Sequence, residues 1–267
     1  MTATPEPAVA DESPEPKKKK GSGAGHELAE LAKTIVYALA IALVLRVLLF
    51  QPFTIPSASM EPTLLEGDYI IVSKYSYGWS RHSIPTSPPL FKGRIMGRQP
   101  ERGDVVVFKL PRDGHVDYIK RVIGLPGDEI QMKYGVPFIN GVAVKYVGLS
   151  PVTLDSAFGT PRQVDRFEET LPNGRSHIAY SFGPEGEVDN TPVYKVPAGH
   201  YFVMGDNRDN SVDSRYPAET GVGYVPAENL VGKAEVILFS WKAGASLFKP
   251  WTWFTEARPS RFGQRLR

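Results

Sequence analysis

Two serines, Ser57 and Ser59, stand two positions apart in Gln51-Pro52-Phe53-Thr54-Ile55-Pro56-Ser57-Ala58-Ser59-Met60-Glu61-Pro62-Thr63-Leu64. A serine hydroxyl is a weak nucleophile near neutral pH and needs a base to remove its proton. Prolines on both sides discourage helix and predict an extended, exposed segment. Taken alone, the stretch reads more readily as a Ser/Pro linker than as a nucleophile.

Two kinds of base are available. Of His26, His82, His115, His177 and His200, only His115, on a turn near Lys120, is credible, which leaves a Ser/His/Asp triad open. The other base is Lys120, inside the apolar run Tyr118-Ile119-Lys120-Arg121-Val122-Ile123-Gly124. Alternation points Lys120 inward with Tyr118 and Val122. Burial would favour its neutral amine, the form that accepts a proton. An edge or surface lysine is the plainer reading, and Lys120 alone does not decide between them.

Gly205-Asp206-Asn207-Arg208-Asp209-Asn210-Ser211-Val212-Asp213-Ser214-Arg215 is a polar loop rich in turn-formers. It fails the EF-hand Ca²⁺ pattern, lacking the central glycine and the closing glutamate. It reads either as a solvated turn or as a rigid support. In the second reading Ser211 lies against the lysine amine, with Asp213 and Arg215 paired behind it.

These residues need elements to hold them. Residues 31–53 are almost wholly apolar, with Lys33 at one end and Arg46 within snorkelling reach of the other. An uncleaved transmembrane anchor is predicted over a signal peptide or a buried core helix. Lys17, Lys18, Lys19 and Lys20 keep the N-terminus cytoplasmic. Residues 1–30 form a tail expected to be disordered. Strands are predicted at 69–75, 105–108, 118–124, 129–132, 138–142, 201–204 and 231–241. Residues 78–100 form a long loop, and 145–191 an insertion with short strands. Residues 54–245 therefore constitute a mostly β, extracytoplasmic domain. Residues 246–267 form an aromatic and basic tail. Trp241, Trp251, Trp253 and Phe254, with Arg258, Arg261, Arg265 and Arg267, fit a lipid interface.

Composition narrows the classes. The 267-residue chain carries a net charge of +2, so it is not a polyanion binder as a whole and no nucleic acid is expected. With no cysteine, a thiol nucleophile and a thiolate zinc site are excluded. Its 25 glycines and 24 prolines favour a turn-rich β domain.

Four segments, in order after an anchor, resemble the boxes of bacterial type I signal peptidases. They are the stretch from Ile55 through Ser57, Ser59 and Leu64; Arg102-Gly103-Asp104-Val105-Val106-Val107-Phe108; Tyr118 through Lys120 to Asp128; and Gly205 through Ser211 to Arg215. The resemblance runs from the anchor to about Val236, excluding both tails and much of 145–191. It implies an unusual β fold with a Ser/Lys dyad and neither metal nor cofactor. Ser59 matches the nucleophile and Lys120 the general base. Ser57 matches the serine that joins the Ser59 amide in the oxyanion hole. Ser211 matches the serine that orients the lysine, and Asp213 with Arg215 the supporting ion pair. Ala58 stands where many relatives have glycine. Phe53, Ile55, Met60, Leu64 and Ile119 would line shallow pockets, although each also reads as core. The substrate would pair as an added strand near Ile55 and Tyr118. The implied partners are signal peptides of exported preproteins, membrane lipid and, transiently, the secretion machinery. The implied location is the cytoplasmic (inner) membrane, crossed once. Rival readings are another Ser/Lys peptidase and a membrane-anchored β domain that binds partners without catalysis. A self-cleaving DNA-binding repressor is disfavoured, because a tail and anchor replace the helix-turn-helix.

Overall fold

The computed structural model describes residues 24–154, 161–183, 185–242, 245 and 251–266. The lysine block at 17–20, residues 247–250 and Arg267 lie outside the described residues. The chain divides into two units, residues 1–42 and 43–267.

Helix α1 runs Ala24–Leu48 and is long and apolar enough to cross a membrane. At about 1.5 Å per residue it spans roughly 37 Å. Its leucines, isoleucines and valines are exposed, except the half-buried Val47, with no buried stripe. Residues 24–30, expected in the tail, are already helical, and Glu30 pairs with Lys33 at 2.8 Å. The apolar run predicted helix to Phe53, but the helix stops at Leu48 and Phe50–Thr54 becomes strand β1. Pro52 is the physical reason: it lacks an N–H, and its ring would clash with the carbonyl one turn back. An edge strand tolerates the same proline, and β1 is an edge.

The remaining strands are β2 (Asp68–Ser73), β3 (Val105–Lys109), β4 (Asp117–Gly124), β5 (Glu129–Lys133), β6 (Val136–Ile139) and β7 (Val142–Ala143). They continue as β8 (Lys145–Leu154), β9 (Arg162–Thr170), β10 (Ser176–Ser181), β11 (Tyr194–Lys195), β12 (His200–Met204), β13 (Val225–Pro226) and β14 (Leu230–Ser240). The main sheet has seven strands in the order β1-β2-β14-β3-β4-β12-β13. A four-stranded sheet has the order β11-β5-β6-β7, and a three-stranded one β10-β9-β8. The fold is mostly β, as expected.

Strand β3 shows why its sequence is continuously apolar. Val105 and Val107 enter one core cluster, while Val106 and Phe108 enter another. Side chains alternate across a strand, so a sheet covered on both faces needs apolar residues at every position. The hairpin expected at 129–142 forms, with Ile130 opposite Ile139, and then turns again at Asn140-Gly141 into β7.

Residues 145–191 differ from expectation. Instead of short strands they build the long β8 and β9, of ten and nine residues, with β10. The alternation is hidden by a register shift between Leu149 and Val152, which absorbs Ser150 and Pro151.

The C-terminal segment is tied to the β domain rather than trailing from it. Helix α2 (Thr252–Thr255) is followed by residues that return to β14: Val236 bridges Arg265, and Trp241 bridges Ala257. Arg261 binds the buried Asp68 carboxylate through Nε at 3.0 Å and Nη2 at 2.5 Å. Arg258 donates to the Glu66 carbonyl at 2.9 Å. These two arginines are therefore committed to the protein. Trp251, Trp253, Phe254 and Phe262 stay exposed.

Candidate active site

The segment that holds Ser57 and Ser59 is not uniformly extended. Ser57 has extended backbone (φ −143°, ψ 153°), and Ala58–Met60 then forms a single 3₁₀ turn closed by Glu61 N–H donating to Ala58 C=O at 3.1 Å. Ala58 thus takes an ordinary helical angle and needs no glycine freedom. The turn buries Ser59 and Met60 and leaves Ser57 exposed.

Strand β4 brings Lys120 to this turn. Its backbone pairs with Val106 of β3, and its side chain is 3% exposed. The Nζ lies 2.6 Å from Ser59 Oγ and 5.6 Å from the centre of the Tyr118 ring. Burial draws the Lys120 amine down to about 8; Asp213 and Asp206 oppose the shift and Arg215 adds to it. A buried ammonium loses hydration, so the neutral form gains. Ser57 Oγ is 3.5 Å from Ser59 Oγ.

The polar loop at 205–215 packs behind both groups. Gly205 is required by close approach: a Cβ there would lie 2.2 Å from Ser211 Oγ and 2.5 Å from the Ser59 carbonyl oxygen. Ser211 is buried beside the Ala58–Met60 turn, but its hydroxyl makes no hydrogen bond, to Lys120 or to any other described group. Asp213 and Arg215 form the expected pair, with Nε to Oδ1 and Nη2 to Oδ2 both 2.9 Å. Asp213 also accepts from Gly205 N–H at 3.0 Å. Burial pushes its carboxyl up, yet Arg215 and these bonds outweigh burial and hold it below the usual range.

The pocket residues divide. Ile55, Met60 and Leu64 lie within a core cluster, Met60 and Leu64 without any exposure. Phe53 and Ile119 are half-buried against the same cluster. Tyr118 is half-buried between Phe108 and Lys120.

The histidines are engaged elsewhere. His115 is exposed on its turn, where its backbone N–H donates to Asp113 Oδ1 at 2.7 Å. His177 is buried; burial first, then Arg121, lowers it to about 3.

Sequence reasoning missed a buried charge network. Arg121, next to Lys120, holds Asp206. Asp206 also accepts from Thr63 Oγ1 at 2.5 Å. Arg208 pairs with Glu169 of β9, Nη2 to Oε2 and Nη1 to Oε1 both 2.5 Å. The available signal was the pair of adjacent cations, Lys120 and Arg121, inside one apolar strand. Alternation sends neighbours to opposite faces, so two buried charges imply two separate polar sites.

The arrangement suits acyl transfer: a hydroxyl touching a buried amine, with a second hydroxyl nearby. The chain has clear relatives among known proteins. The chain matches the family described as "Signal peptidase, peptidase S26" over residues 28–241. It is 45% identical over 217 residues to "Signal peptidase I" of Rickettsia typhi, covering 78% of this chain and 79% of that protein. It is 46% identical over 214 residues to "Signal peptidase I" of Rickettsia akari, covering 77% of each. A crystal structure of a signal peptidase I from Enterococcus faecalis is 27% identical, covering 51% of this chain and 97% of that one, with a TM-score of 0.29.

Proposed function

This chain belongs to the signal peptidase family, peptidase S26, and from that premise we propose that it is a membrane-bound serine endopeptidase that removes signal peptides from exported preproteins. The observation that carries the reading is the 2.6 Å contact between Ser59 Oγ and the buried Lys120 amine.

Neutral Lys120 takes the Ser59 proton as Oγ bonds to the scissile carbonyl carbon. Negative charge gathers on the carbonyl oxygen, and the Ser57 hydroxyl and Ser59 amide stabilise it. Comparable donors contribute roughly 3–4 kcal/mol each. The C–N bond then breaks, and Lys120 gives its proton to the leaving amine. Water, deprotonated by the same amine, releases the acyl group from Ser59. Ser211, buried behind the same turn, helps to orient the lysine, and the Asp213–Arg215 pair holds their loop. The substrate enters as an extended strand beside Ile55 and Tyr118. Phe53 and Ile119, half-buried beside the site, form the walls of shallow pockets for small residues at the cleavage site, and Met60 and Leu64, with no exposed surface, pack behind them.

Helix α1 anchors the enzyme, with the N-terminal lysines on the cytoplasmic side. The site, with Ser59 eleven residues beyond the helix end at Leu48, is confined to the outer surface of the inner membrane. Signal peptides expose their cleavage sites in the same layer, where lipid and secretion machinery are the further partners.

The test is cleavage of a preprotein by the full chain in vesicles. Ser59→Ala and Lys120→Met are each expected to abolish cleavage while the β domain keeps its near-UV circular dichroism. Full cleavage by either variant would remove the dyad.

A further inference from the structure

Asn207 joins the loop at 205–215 to the nucleophile turn through two different groups. Its backbone N–H donates to the Ser59 carbonyl at 3.1 Å, and its side-chain Nδ2 donates to the Ala58 carbonyl at 3.1 Å. These carbonyls belong to the two peptide groups on either side of the Ser59 Cα, so the two bonds fix the peptide planes that flank the nucleophile. Asn207 is 1% exposed, and its Oδ1 makes no hydrogen bond. A buried amide with an unsatisfied oxygen is a poor device for stability alone, since the desolvated acceptor offsets the bond its nitrogen makes. Its remaining consequence is geometric.

The three-stranded sheet holds Asn207 from the other side. Tyr180 of β10 donates its N–H to the Asp206 carbonyl at 2.8 Å, and Tyr180 bridges Asn207 in parallel. The next residue, Arg208, is held by Glu169 of β9 and donates from Nε to the Gly205 carbonyl at 3.1 Å. Strands β9 and β10, which carry no reacting group, therefore clamp both neighbours of Asn207.

We infer that Asn207 is a positioning residue that sets the attack geometry of Ser59, with the three-stranded sheet as its fixed mount. The inference rests on Ser59 being the nucleophile. A displacement near 1 Å costs on the order of 100-fold in rate when reacting atoms must be aligned. Loss of one of the two bonds is expected to shift the turn by less.

Preprotein cleavage by Asn207→Ala, Asn207→Asp and Ser59→Ala tests this, using plateau rates per folded molecule, with folding followed by near-UV circular dichroism. Asn207→Ala is expected to lower kcat about 10-fold, leaving KM within about twofold and the acidic limb of the pH profile in place. Asn207→Asp has the same shape but sets a carboxylate against the Ala58 carbonyl, and is expected to lose about 100-fold. A merely space-filling role predicts that the isosteric aspartate keeps wild-type kcat, which would overturn the inference. So would Asn207→Ala within twofold of wild type; if the aspartate variant does not fold, the alanine variant decides alone. Activity in Ser59→Ala would instead overturn the nucleophile assignment itself.

Discussion

The Arg121 guanidinium grips the Asp206 carboxylate with two hydrogen bonds, 2.8 Å from Nε and 2.7 Å from Nη2, and each side chain is 1% exposed. One partner adjoins Lys120 in sequence and the other adjoins Asn207, so the pair ties β4 to the loop at 205–215. Removing one member of a buried pair leaves the other charge without compensation, which costs about 3–5 kcal/mol. Asp206→Ala is expected to destabilise the fold by that amount in urea unfolding. A loss under about 1 kcal/mol would mean the pair does not hold these elements together. Burial pushes the Asp206 carboxyl up, but Arg121 outweighs it and holds the carboxyl below the usual range. Its stabilisation is thus fully present above about pH 4 and fades as pH falls through the lowered value.

The pH–rate profile should carry the signature of the lysine. Burial brings Lys120 to about 8, so roughly a tenth is neutral at pH 7, against about one in a few thousand for an ordinary lysine. The expected kcat/KM rises about tenfold per pH unit up to about 8 and then levels, because the free enzyme's base must be neutral. A limb centred near the ordinary histidine value of about 6.5 would shift the assignment to a histidine base.

Much of this site was legible because its signals are local. The prolines flanking Ser57 and Ser59, the lysine in an apolar strand and the polar loop at 205–215 each stand out within a dozen residues. What escaped depends on long-range contact. Glu169 reads as one acid in a charged strand until Arg208, 39 residues away, closes over it. Asn207 reads as a turn-former until its amide meets Ala58, 149 residues away. Hydrophobic periodicity, which located most strands, failed where Ser150 and Pro151 shift the register of β8. It also overran the helix, because Phe50 and Phe53 are as apolar as the membrane run and only Pro52 marks the change of structure.

Replacing Lys120, the proposed base, should stabilise the fold. Lys120 falls from the unfolded lysine value to about 8 on burial. Below pH 8 it is charged in both states, and folding bears the full desolvation penalty. The penalty lifts as pH rises from about 8 towards 10.4. Lys120→Met removes it, with a gain of up to about 3 kcal/mol at pH 7 that shrinks above pH 10. Thermal melts at pH 7 and pH 10 should show the larger difference at pH 7. A variant no more stable than wild type at pH 7 would mean that Lys120 is hydrated in solution.

Asp213 sets the position of the limb as well as the loop. Its carboxylate is the leading group that opposes the downward shift of Lys120. In Asp213→Asn that support disappears while Arg215 keeps its positive charge, so the lysine should lose its proton more easily. The acidic limb is expected to move below 8, opposite to the shift that water entry would cause. The plateau rate should fall about tenfold or more, because the Gly205 N–H and the Arg215 fork lose their charged acceptor and the loop behind Ser59 loosens. Kinetics across pH 6–10 separate the two effects. A fallen plateau with an unmoved limb would confine Asp213 to a structural role, whereas a limb displaced upward would show that the variant had opened the lysine to solvent.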